Sequence, residues 1–253
     1  TFFADRFPQR NTWVGLNAYT ALAEGNNGAS GVYNCKNGYL INKPVSTENN
    51  LDKNIGAVAD FAKSIDTPTT VMLVPSTGYI VDDVLPTFHD KYNDDEDISK
   101  ISSTLSKDKI GFVDLRERFK SEYKNGSQLY YKTDHHWTTK GAYTGYQELC
   151  KALGITPIDD STLKKDSYPD FYGTTYSSSG FWLTPPDNIE IWNNPKNSDR
   201  NISVKITEGA NIKTSGSMYF TDHLKEDDKY PVFIDGNHAL TEITNTNAKN
   251  GTI

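Results

Sequence analysis

Thr70-Val71-Met72-Leu73-Val74 is a continuous apolar run of strand length with β-branched members, and such a run reads as a strand buried on both faces, as in a parallel sheet. Upstream, Leu51, Ile55, Val58, Ala62 and Ile65 recur at steps of three or four between Asn49 and Ile65. They predict a helix with one apolar face, stopped at Asp66-Thr67-Pro68. Downstream, Ile98, Ile101 and Leu105 make a second helical stripe, and Ile110-Gly111-Phe112-Val113-Asp114 a second short strand. Leu115 and Phe119 predict a short helix, Gln128-Leu129-Tyr130-Tyr131 a third strand, and Ala142, Tyr146, Leu149 and Leu153 a long helix ended by Gly154 and Pro157. Helix and strand alternate, the pattern of an α/β fold in which helices cover a mostly parallel sheet.

The flanks differ in texture. Residues 1–46 carry an amphipathic start around Trp13, Leu16 and Tyr19, then a Gly/Asn turn cluster and a hairpin from Gly31-Val32-Tyr33 to Tyr39-Leu40-Ile41. Residues 47–253 form the α/β domain, and within it helical periodicity disappears after Pro157. There Tyr, Ser, Gly and Pro are dense, and Ile189-Glu190-Ile191-Trp192 and Val232-Phe233-Ile234 read as strands of a β-rich extension of the sheet. The hydrophobic fraction is 36%, but 12% of the residues are aromatic, 15 of them Tyr, which is enough buried area for a 253-residue chain to fold without staples.

A net charge of -7 with no basic patch excludes a polyanion such as nucleic acid as partner, because no counterion release would drive binding. The densest charge run, Asp94-Asp95-Glu96-Asp97, lacks the ligand spacing and central Gly of a calcium loop and is expected to be a solvated, mobile loop. Cys35 and Cys150 are too few for a disulfide framework, and whether they are bridged is left open. No run of 18 or more apolar residues spans a membrane. The chain opens Thr1-Phe2-Phe3-Ala4 without a Met, as expected where a signal peptide or membrane anchor precedes it.

Chemistry concentrates in Tyr130-Tyr131-Lys132-Thr133-Asp134-His135-His136-Trp137-Thr138-Thr139-Lys140-Gly141. The segment joins a predicted strand to a predicted helix, with Thr138 or Thr139 as N-cap, and ligands of open α/β sheets gather at such strand ends. Asp134, two residues before His136, can hold the imidazole in one tautomer and leave its other nitrogen as a base. The plain alternative is that Asp134 caps the turn while both histidines pack or sit in solvent. A metal held by His135 and His136 is disfavoured, since neighbours on an extended chain point to opposite sides. His89, His223 and His238 stand alone and read as ordinary.

The strand order, together with Tyr131-x-x-Asp134-x-His136-Trp137 and Gly141, resembles the alginate O-acetyltransferase group of SGNH-like proteins. Asp134-His135-His136-Trp137, with Phe3-Ala4-Asp5-Arg6-Phe7-Pro8-x-Arg10, Gly31-Val32-Tyr33, Gly38-Tyr39-Leu40 and Phe171-Tyr172-Gly173-Thr174, is similar to the bacterial family named for its DHHW motif. The resemblance implies a three-layer SGNH-hydrolase-like domain with rearranged strand order, in which Asp134 and His136 are triad members, His135 is variable and Trp137 walls the substrate site or supports the loop. It implies a serine nucleophile on a strand well downstream of the histidine, and the chain ends at Asn250-Gly251-Thr252-Ile253, where that strand is expected to begin.

Inside the chain Ser76, following Val74-Pro75, is the best-placed serine, although it lacks the leading Gly of a nucleophile elbow. Ser177, Ser178 and Ser179 read as a flexible loop, and nothing marks Ser217. Asn237 is a candidate oxyanion donor, and Tyr172, Tyr176, Phe181 and Trp182 are candidate sugar-stacking aromatics. The expected function is an extracytoplasmic carbohydrate O-acyltransferase or acyl esterase at the bacterial cell surface. Its substrate is a polysaccharide or other surface glycan, its acyl donor is open, and neither metal nor organic cofactor is implied. The rivals are a catalytically inactive surface carbohydrate-binding or scaffold protein of the same fold, and a metal-dependent hydrolase using the His pair.

Overall fold

A computed structural model describes residues 8–45, 50–196 and 201–246. Most of the opening motif from Phe3, and the terminal Asn250–Ile253, lie outside them. The chain divides into two compact units, one made of the part up to Pro157 with Thr174–Pro185, the other of Ile158–Gly173 with the part from Pro186.

In the first unit the strands β4 (Thr70–Leu73) and β5 (Gly111–Asp114) pair in parallel, Thr70 opposite Gly111 and Leu73 opposite Asp114. Alternation sends Val71 and Phe112 to one face and Met72 and Val113 to the other. On the first face Val71 and Phe112 pack with Ile55 and Ala59 of helix α2 (Leu51–Ser64) and Leu105 of α4 (Asp94–Lys107). On the second, Met72 and Val113 join Ile80 of the short helix α3 (Thr77–Ile80), Phe119 of α5 (Arg116–Lys124) and Leu149 of α6 (Thr139–Ala152). The predicted helices and parallel strands are therefore present as an α/β/α arrangement. Preceding them are α1 (Arg10–Ala23) and a small antiparallel sheet of β1 (Gly28–Ala29), β2 (Val32–Asn34) and β3 (Leu40–Asn42).

Four details of the first unit depart from the sequence reading. β4 is half-buried rather than buried on both faces, and Val74 is exposed; parallel pairing among the described residues is confined to β4 and β5, so its faces are only partly covered. Gln128–Tyr131 is no strand: Leu129, Tyr130 and Tyr131 are core residues, but their backbone bonds close a loop on itself, Tyr131 donating to the His136 carbonyl and Thr138 to that of Leu129. Helix α1 exposes Trp13 and Leu16 and buries Gly15 and Ala18, because Gly15 leaves the space that the Trp182 ring fills. The acidic run is the first turn of α4, where carboxylates meet the positive end of the helix dipole. Asp94 also accepts from the backbone N–H and hydroxyl of Ser76, both at 2.6 Å, and Asp95 from the Tyr79 hydroxyl and Arg116. Cys35 and Cys150 are buried free thiols.

The second unit is built of antiparallel pairs. β6 (Lys164–Phe171) pairs with β7 (Asp187–Asn193), and β8 (Ile202–Glu208) lies between β9 (Asn211–Ser215) and β10 (Leu240–Asn245). Period-two burial of Ile189 and Ile191, and of Ile202, Val204 and Ile206, gives each its apolar face. The β-rich region thus forms sheets of its own instead of adding strands to the parallel pair. Val232-Phe233-Ile234 is a turn, not a strand: Tyr230–Val232 is a short 3-10 helix containing Pro231, and Ile234 and Asp235 have positive φ.

That turn brings together two histidines expected to be isolated. His223 bonds Asp235 at 2.8 Å and Glu226 at 2.9 Å, His238 bonds Glu208 at 3.0 Å, and Lys213 bonds Asp235 at 2.8 Å. The hydrogen bonds to Glu226 and Asp235 hold the His223 pKa above the usual imidazole value, against the effect of burial. A raised pKa contributes stability that is complete below the unfolded-state value, about 6.5, and is lost as pH rises through the folded value. Urea unfolding should therefore show a midpoint that falls as pH is raised from 6 through neutrality, and His223→Gln should flatten that slope.

Candidate active site

The Asp134 loop is positioned by the start of α6. Thr138 caps the helix, its hydroxyl oxygen accepting from the Gly141 N–H at 3.1 Å while it donates to the Gln128 carbonyl at 2.8 Å. Gly141 is needed because a Cβ there would run into the Leu129 carbonyl and crowd Trp137. Gly141→Ala should cost about 1–3 kcal/mol by overpacking, read as a lower urea midpoint.

Asp134 is fully buried and its carboxylate takes four bonds. Oδ1 accepts from the His136 backbone N–H at 2.9 Å and from its ring Nδ1 at 2.5 Å; Oδ2 accepts from the Thr174 backbone N–H at 2.7 Å and hydroxyl at 3.0 Å. Burial alone would raise the carboxyl pKa, but the bonds from His136 and Thr174 outweigh it and hold it well below the usual carboxylate range. Asp134 is therefore ionised at neutral pH. The His136 ring, about one-third exposed, has its Nδ1–H fixed on that carboxylate, which makes Nε2 the basic nitrogen.

His135 does not point away from His136 as an extended chain would require. Residues 132–136 form a succession of bends, and the two rings lie 3.9 Å apart at 35°. His135 Nδ1 is 2.8 Å from the Thr174 hydroxyl. Asp134, His135 and His136 thus offer ligand atoms within 4.8 Å of one another. As a metal site the set fits poorly, since both Asp134 oxygens are already each bonded twice and both Nδ1 atoms are engaged.

A cavity of about 330 Å³ adjoins the loop, lined in part by Asn42, Ser76, Tyr92, Asp94, Asp134 and His135. Ser76 therefore shares a cavity with Asp134 and His135, whereas His136 is not among the described residues lining it, and the Ser76 hydroxyl donates to Asp94 at 2.6 Å. Trp137 lies under the loop, its ring 6.5 Å from that of Phe119 and against Gly145, in the supporting place rather than on this cavity's wall. Ser177–Ser179 are not a flexible loop; they end helix α7 (Thr174–Ser179). Phe181 is fully buried, Trp182 is partly exposed beside Tyr19, and Tyr176 donates its backbone N–H to the Thr133 carbonyl. Tyr172, Ser217 and Asn237 belong to the second unit. Thr174 was missed as the partner of Asp134, although it closes the Phe171-Tyr172-Gly173-Thr174 piece.

Residues 40–169, just over half of the chain and including the whole Asp134 loop, match the family described as the SGNH hydrolase-like domain of the acetyltransferase AlgX. The chain belongs to that family. Among solved structures the AlgX-type chain is similar to a DHHW family protein from Eubacterium siraeum, at 18% identity and a TM-score of 0.67 over 86% of this chain and 72% of that one. It is similar to PatB1 of Bacillus cereus, at 18% identity and a TM-score of 0.68 over 85% of this chain and 75% of that one. The O-acetyltransferase domain of Pseudomonas putida AlgJ matches at 18% identity and a TM-score of 0.52, over 63% of each chain. At such identities these likenesses speak for the fold, which is SGNH-like and mixed α/β with a β-rich C-terminal region. No curated protein matches the AlgX-type chain, and among its described residues no helix is long and apolar enough to cross a membrane.

Proposed function

We propose that this AlgX-type chain carries the base-and-orienter half of an extracytoplasmic carbohydrate O-acyltransferase or acyl esterase, with Asp134 and His136 completing a triad with a serine. The observation that carries the reading is the buried, ionised Asp134 bonded to His136 Nδ1 at 2.5 Å. In the proposed cycle the serine Oγ attacks the acyl carbon of the donor while His136 Nε2 takes its proton, and the imidazolium that forms is stabilised by Asp134. The proton passes to the leaving group, an acyl-serine remains, and an acceptor hydroxyl then repeats the sequence in reverse. A sugar hydroxyl gives transfer and water gives hydrolysis.

The nucleophile is proposed to be a serine downstream of His136 other than Ser177–Ser179. Ser76 fits poorly because its hydroxyl proton is already given to Asp94. The AlgX family name and the O-acetyltransferase domain of AlgJ support a polysaccharide as acceptor and a place outside the cytoplasm. The test is release of nitrophenol from nitrophenyl acetate by the full-length protein, with acetyl transfer to added oligosaccharide followed by mass spectrometry. Turnover is expected. A well-folded full-length protein inert toward every acyl donor would instead favour a surface glycan-binding protein of this fold.

A further inference from the structure

The hydrogen bonds around Thr174 fix the tautomer of His135. Asp134 is ionised and can only accept. Thr174 has one hydroxyl proton and donates it to Asp134 Oδ2 at 3.0 Å. The 2.8 Å contact between the Thr174 oxygen and His135 Nδ1 therefore requires a proton on Nδ1, an assignment made by the network. Nε2 of a neutral His135 is left with its lone pair, and it has no hydrogen-bond partner among the described residues. The ring is about half exposed and lines the 330 Å³ cavity. Burial and the neighbouring His136, opposed by Asp134, lower the His135 pKa, so neutral imidazole is the form present at pH 7.

The rest of the cavity selects by charge. Its described lining holds three carboxylates, Asp94, Asp97 and Asp134, against one lysine, Lys43. Each Asp94 oxygen accepts one bond from Ser76 and retains a lone pair for a further hydroxyl. The volume is at the small end for ligand sites, about 300–1,000 Å³, suited to one sugar ring. A neutral ring gives its hydroxyl protons to such acceptors, whereas a uronate places a fourth carboxylate among three and is repelled.

We propose that this cavity is the acceptor subsite, that it takes an uncharged sugar residue rather than a uronate, and that His135 Nε2, on a ring 3.9 Å from that of His136, receives a hydrogen bond from a sugar hydroxyl next to the one that His136 deprotonates. The assignment of an acceptor rests on the acyl-transfer reading; the binding claim is tested without it. The full-length protein is titrated by calorimetry with neutral tetramers of glucose, galactose, mannose and N-acetylglucosamine, and with galacturonate and mannuronate tetramers, at fixed ionic strength. Imidazole nitrogen NMR signals are followed in parallel.

At least one neutral tetramer should bind at least tenfold more tightly than either uronate and shift the His135 nitrogen signals, with Nδ1 protonated before and after. His135→Ala should weaken that binding about tenfold, and His135→Gln, which retains an acceptor oxygen, should restore part of it. Uronates binding as well as the best neutral tetramer, or neutral tetramers leaving the His135 signals unmoved, would overturn the proposal. Neutral binding through His135 in a protein without ester turnover would leave the subsite standing and remove the catalytic reading. Ester turnover with uronate preference would do the reverse.

Discussion

His136→Ala should lower turnover of nitrophenyl acetate by the full-length protein about 10⁴- to 10⁶-fold, because triad members act as a unit and removing the base forfeits the whole proton relay. The fold should be spared. The His136 ring is about one-third exposed, and the backbone N–H that also bonds Asp134 at 2.9 Å survives the substitution. The measurement is kcat/KM beside a urea unfolding curve; a loss below tenfold with an unchanged unfolding midpoint would remove His136 from the reaction.

Asp134→Ala should damage both activity and stability. It strips the acceptor from four donors, two on His136 and two on Thr174, at a side chain with no exposure. The donors are only part-buried, so losing their charged acceptor costs about 1.5–3 kcal/mol, read as a drop in urea midpoint. Asp134→Asn, which keeps the shape and loses the charge, should retain more stability while losing activity about 10⁴-fold, because an amide does not hold the Nδ1–H tautomer. The pH dependence separates these variants from wild type. The Asp134 pKa is depressed in the folded state, so its contribution is complete above the unfolded carboxyl value, about 3.9, and is lost as pH falls through the folded value. Acid unfolding of the wild type should carry this loss, and Asp134→Asn should lack it.

What the sequence made legible follows from burial periodicity. Leu51, Ile55 and Ala62 and the run from Val71 to Leu73 place α2 and β4 correctly because the buried faces of the α/β/α layers impose those periods, although Val58 and Ile65 of the same stripe are exposed. Asp134 and His136 were legible because two residues across a bend suffice to bring carboxylate and ring together. Gln128–Tyr131 misleads because an apolar run reports burial, not pairing, and here the backbone closes on the His136 loop.

Charge runs carry a similar ambiguity. Asp94–Asp97 reads as solvated acid until the dipole of α4 and the Ser76 N–H give those carboxylates partners. Contacts set by distant loops left the weakest local trace: Thr174 meets Asp134 across 40 residues, and His223 and His238 converge only because the chain turns at Asp235. The stacking of His135 on His136 was hidden for a different reason, since neighbouring side chains diverge on an extended chain but not on a bent one.

The most direct test of a serine-based relay through Asp134 and His136 is covalent labelling. The full-length protein is treated with a sulfonyl fluoride, which forms a stable sulfonyl ester with an activated serine, and the labelled peptide is mapped by mass spectrometry. One adduct should form, on a serine downstream of His136, at a rate that falls by orders of magnitude in His136→Ala and Asp134→Asn. An adduct on Ser76, or labelling that proceeds equally fast without His136, would contradict the account.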